Sequence, residues 1–175
     1  MTNVAAALGI LLLLGVVAFL AITTFNSVVS LRQQIDKAWA NIDVALQQRH
    51  DELPRLVDAV RGVMEYERDT LAAVTAARAQ YDPKAPIPAQ AETSNQTSAA
   101  VAGLLAVVER YPQLTAQENV MELQREITRI EGVIADRREV YNDSVYRYNT
   151  RIRTFPTNVL ASVMGWQARP FFSAP

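Results

Sequence analysis

From Val4 to Ile22 the chain reads VAAALGILLLLGVVAFLAI, without one charged side chain. A helix over this stretch is ~28 Å long, about the thickness of a bilayer's hydrocarbon core. It predicts a transmembrane helix over residues 4–25, in contact with membrane lipid, with residues 1–3 as a short external end. A cleaved leader would need a basic start, a shorter apolar run and a small-x-small site. Met1-Thr2-Asn3 has no basic residue, and the apolar run passes into TTFNSVVSL without such a site. Basic residues are retained on the cytoplasmic side; none precedes the span, while Arg32, Lys37 and Arg49 follow it. The expected placement is a single pass through the cytoplasmic (inner) membrane, with the N-terminus outside and the rest in the cytoplasm.

What remains carries all 17 basic and 18 acidic residues, so its net charge of -1 supplies no long-range field for gathering nucleic acid. The absence of cysteine excludes disulfides, thiol chemistry and cysteine-bound metals, and suits a cytoplasmic domain.

The hydropathy pattern is helical throughout. Val28, Leu31, Ile35, Ala38, Ile42 and Ala45 recur at threes and fours, flanked by Trp39 and Leu46. This first helix is expected to continue directly from the membrane span. A second apolar pattern runs from Leu56 to Val74, and Pro54 predicts a kink or reversal near Leu53. Tyr81 to Ser98, with Pro83, Pro86 and Pro88 and many small polar residues, reads as a proline-rich linker over 81–98. A shorter helix fits Ala99 to Arg110. Thr115 and Glu118 stand at the spacing of a capping pair, which predicts a helix start there. The fourth pattern, Val120 to Ile152, is the strongest and spans ~54 Å. The expectation is an all-α chain: the membrane helix, an up-and-down bundle of about four long helices over 26–155, and an aromatic segment over 156–175.

Chemistry is sparse. In AWANIDVALQQRHDELPRLVDAV, from Ala38 to Val60, the sole histidine, His50, stands four residues before Pro54. Catalytic zinc usually takes three protein ligands, so one histidine does not make such a site. Glu122, Glu126 and Glu131 alternate with Arg125 and Arg129 in the manner of a salt-bridged solvent face. Arg49 and Arg137 fall where the apolar series calls for a hydrophobe. A buried charge needs a partner, and Asp43, Asp51, Asp58 and Asp136 are the sequence candidates. Arg49, His50, Pro54 and Arg137 are therefore read as a polar layer and bend, the alternative being arginines that extend their heads to the edge. Trp166, Phe171 and Phe172 lie in a tail that can meet lipid, another subunit or its own bundle. No P-loop, dinucleotide fingerprint or nucleophile elbow is present, and no catalytic, cofactor or metal residue is assigned.

Three stretches together resemble the LemA family: FNSVVSLRQQIDKAWANIDVALQQRHDELPRLVDAV, VVERYPQLTAQENVMELQREITRIEGVIADRREVYNDSVYRYNTRIRTFP, and MGWQARPFF. The group Trp39-x-Asn41-Ile42-Asp43, the Arg49-His50 pair with Pro54, Tyr111-Pro112, Tyr141-Asn142, Tyr148-Asn149 and Phe155-Pro156 carry the resemblance. It departs from the family at Gly62 to Tyr66, where a more basic and polar run is usual. The resemblance implies a bacterial protein with a membrane helix and a cytoplasmic bundle, and no known reaction. Members are associated with membrane-bound zinc proteases by gene neighbourhood, and one relative with magnetosome formation.

The function expected is a non-enzymatic, membrane-anchored scaffold that self-assembles as a homo-oligomer or organises a membrane protease or other membrane protein. A signalling adaptor that transmits change through the membrane helix is the alternative. An enzyme built on His50 ranks far below both.

Overall fold

The computed structural model describes residues 2–64 and 66–172, and among these the chain is all-α, with six helices and no strand. They are α1 (Thr2–Arg61), α2 (Arg68–Ala79), α3 (Ile87–Val108), α4 (Pro112–Thr115), α5 (Glu118–Arg153) and α6 (Thr157–Met164). Contacts divide the chain into two compact units, Met1–Lys37 with Asp143–Arg169, and Ala38–Asn142 with Pro170–Pro175.

In the first unit none of the residues in the most apolar part of α1 is buried. Val28, Ile35, Val145, Tyr148, Ile152 and Ala161 are the buried apolar positions beyond it. Glu118 opens α5 and Arg151 and Arg153 close it, each complementing the helix dipole at its end. Gly165, left-handed at φ 65°, ends α6, and Trp166 N–H donates across it to Ala161 O at 2.9 Å. Only glycine takes that backbone without strain, and the chain leaves α6 as an extended segment.

The second unit is an up-and-down bundle. Asn41 faces Arg137 while Gln48 faces Glu126, so α1 and α5 run antiparallel. Asn95 meets Arg138 and Ser98 meets Glu131, so α3 and α5 are antiparallel as well. Leu53, Leu56, Val60, Met64, Leu104, Leu114 and Ile127 fill the core.

Three expectations are corrected. No reversal occurs at Leu53: α1 runs through Pro54 to Arg61, and the chain reverses between α1 and α2. The proline-rich stretch is not a linker over 81–98, because α3 begins at Ile87 and the connection is only 80–86. Pro88 lies in the first turn of α3, where a missing N–H is harmless. Gln90 Nε2 ties the preceding loop to that turn by donating to Pro83 O and Ala85 O. Thr115 does not cap α5; it closes α4 and its hydroxyl turns back to donate to Pro112 O.

Candidate functional site

Arg49 is the charged residue most deeply placed in the bundle, 4% exposed. Its guanidinium donates to Ser94 Oγ at 2.9 Å, Ser98 Oγ at 2.9 Å and Glu131 Oε1 at 3.0 Å. Ser98 in turn donates to Glu131 Oε2 at 2.7 Å. Three helices thus meet on one arginine, whose planar fork suits several acceptors at once. The small residues Ala91, Ser94, Thr97 and Val101 are buried on α3 at helical spacing, and they leave room for the long side chain. None of the four aspartates suggested by sequence is the partner. Glu131, expected on a solvent face, and Ser94 and Ser98, expected in a linker, complete the layer. Arg137 stands elsewhere, half-buried and donating to Asn41 O, so the two arginines do not share one layer. Glu126 and Arg129 do form the expected surface pair.

Pro54 lacks the N–H that would bond to the carbonyl four residues earlier, which is that of His50. Arg78 Nε, at the end of α2, donates to His50 O at 3.1 Å and supplies the missing bond. This explains how a helix continues through proline. Arg78→Ala should cost about 1–2 kcal/mol, the range for a carbonyl left unpaired. The same change should cost less in a Pro54→Ala background, where the new N–H takes the carbonyl; a double-mutant cycle of denaturation midpoints measures the difference.

The His50 ring stacks 5.0 Å from that of Tyr81. Burial, then the neighbouring Arg78 cation, lowers the His50 pKa, with Asp51 opposing. Burial and the charges of Asp43 and Asp51 push the Tyr81 phenol up, so both rings are neutral near pH 7. The native state therefore binds the His50 proton more weakly than the unfolded chain. That contribution to stability is complete above about pH 6.5 and is lost as pH falls from there through the lowered native pKa. Melting temperatures measured across this window should fall less steeply for His50→Gln than for the parent. The space enclosed by Arg49, His50, Arg78, Tyr81 and Gln90 is about 10 Å³, the size of a single water and not of a substrate. No group of metal-binding side chains occurs among the described residues.

The second construction is on α5, where a Tyr-Asn pair occurs twice, seven residues apart. In the first unit Tyr148 OH donates to Gln167 O at 3.1 Å, while Asn149 donates to Arg169 O and accepts from Arg169 N–H. In the second unit Tyr141 OH donates to Pro170 O at 2.9 Å, and Asn142 makes the same pair of bonds with Phe172. Each asparagine offers an extended backbone one donor and one acceptor, as a neighbouring strand would. Sequence reasoning singled out these pairs only as motifs and missed the clamp, because their partners follow them by 19 to 30 positions.

The aromatic tail residues separate. Phe172 is not an outward contact: it is fully buried in the second unit, its ring 5.7 Å from that of Trp39 and under the Arg138 guanidinium. Trp39 also meets Tyr141 edge-on. Trp166 lies against Phe25 at 5.8 Å in the first unit, and Phe171 stays exposed.

Two magnetosome proteins of Paramagnetospirillum magneticum, MamQ 1 and MamQ 2, are each 34% identical to this chain over 73 residues, 42% of the chain and 27% of their own length. The chain thus spans about a quarter of these relatives. Protein LemA of Metamycoplasma hominis is 26% identical over 156 residues, 86% of this chain and 69% of that one. The LemA family model matches residues 38–175, which take in the arginine layer, the proline-tolerant helix and the clamped tail. The chain belongs to the LemA family.

Proposed function

We propose that this protein is a membrane-anchored, non-enzymatic helical scaffold that assembles with copies of itself or holds other membrane proteins at the cytoplasmic membrane. One observation carries the reading. A single helix, α1, begins with an uncharged stretch of membrane-spanning length in which no residue is buried, and ends in the core of a bundle. Its polar interior is occupied by structural hydrogen bonds around Arg49, with space for no substrate. The magnetosome proteins it resembles also fit membrane organisation. No basic residue precedes the span while Arg32 and Lys37 follow it, which favours a cytoplasmic bundle and an external amino-terminal end.

The test is the mass of the complex extracted in native lipid, with crosslinking in intact cells. A uniform assembly larger than one chain is expected; a monomer with no crosslinked partner overturns the scaffold. The unbroken passage of α1 through Pro54 also supports a signalling adaptor, since a continuous helix transmits a tilt or rotation. In that reading, labelling near Leu53 changes with stress or ligand, and constant labelling removes it.

A further inference from the structure

A groove of about 380 Å³ in the first unit has one wall formed by Val17, Leu20 and Ala21 of α1 and the other by Phe155, Val159 and Val163. We propose that Phe155 and α6 form a membrane-inserted wedge, so that the exposed face of α6 lies in hydrocarbon beside the span and lipid acyl chains occupy this groove. The proposal rests on reading residues 4–22 as the membrane span.

Depth is the first argument. Val17 precedes the end of the apolar stretch by five residues, ~8 Å of helix. A bilayer that surrounds the span therefore surrounds whatever lines the same groove as Val17. Charge is the second. No charged residue occurs from Thr154 to Ala168, whereas Arg151 and Arg153 precede the segment and Arg169, paired with Asp36 at 3.7 Å, follows it. Exposure is the third: Phe155 and Val163 are each 78% exposed and Val159 is 58% exposed, while Asn158 and Ser162 give α6 a polar flank. An amphipathic helix of this kind lies in the interface with its apolar face ~5–10 Å into the acyl boundary. Finally, Trp166 meets Phe25, three residues past the apolar stretch. An aromatic pair there marks headgroup level, and the groove between α6 and Val17, Leu20 and Ala21 lies deeper.

The chain has no cysteine, so single nitroxide labels are placed by Val163→Cys, Leu12→Cys and Tyr66→Cys. Each full-length protein is reconstituted in vesicles of phosphatidylcholine and phosphatidylglycerol, and collisions with oxygen and with a water-soluble nickel chelate are measured. Tyr66, 94% exposed, reports water, and Leu12 reports the span. The label at 163 should show an oxygen-to-nickel ratio severalfold above that at 66, close to that at 12. A ratio at 163 equal to that at 66, with 12 in lipid, overturns the wedge alone. Low access of both reagents at 163 places a second copy in the groove and also overturns it. A water-like ratio at 12 overturns the span and the wedge together.

Discussion

Glu131→Ala is expected to lower the unfolding free energy by about 3 kcal/mol, because it leaves the Arg49 guanidinium buried without its counter-charge. Glu131 is itself 23% exposed, so some water reaches the vacated position and the effect should sit at the low end of that class. Ser94 and Ser98 remain as acceptors, but neither carries charge. By contrast, Arg49→Met combined with Glu131→Met should fall within about 1 kcal/mol of the parent, since the desolvation cost of both ions disappears with their attraction. Urea denaturation of the full chain in mild detergent, followed by tryptophan fluorescence, measures both. A double variant as unstable as Glu131→Ala would show that shape at this layer matters more than charge.

The second large effect is expected at the end of the chain. Phe172→Ala should cost about 3 kcal/mol, as for a buried phenylalanine that leaves a cavity. The vacated volume lies beside Trp39 and Arg138, and the Asn142 bonds to the backbone of residue 172 would then hold a segment with no apolar anchor. Phe171→Ala, at a residue 41% exposed, should stay within about 0.5 kcal/mol. Hydrogen exchange at the backbone N–H of residue 172, which donates to Asn142 Oδ1, provides a local readout: rapid in Phe172→Ala, slow in the parent and in Phe171→Ala. Equal protection in all three would mean that the asparagine clamps alone secure the tail.

The sequence was most informative where one periodicity spoke for many residues. The exposed apolar stretch, the continuation of the first helix from it, the long helix from 118 to 153 and the core positions from Val28 to Ala45 follow from spacing and hydropathy, which act over neighbouring turns. The site was less legible. Arg49 announced itself as a charge in an apolar series, but its partners Ser94, Ser98 and Glu131 are 45 to 82 positions away. Each belongs to a local pattern with its own plausible reading, as linker or as solvent face.

At Pro54 a local rule was overridden from outside the helix, because the Arg78 guanidinium donates to the His50 carbonyl that proline leaves without its N–H. Pro88 and Thr115 were decided locally: Pro88 falls in the first turn of α3, where a missing N–H is harmless, and the Thr115 hydroxyl donates three residues back to Pro112 O. The sequence by itself determined that the chain is helical, that its first stretch suits lipid, and that its composition offers little chemistry, because these depend on residue type and near spacing. The tertiary structure decided which charges are paired, that proline leaves α1 unbroken, and that Phe172 turns inward while α6 turns out. Those outcomes depend on hydrogen bonds and burial between residues that only folding brings together.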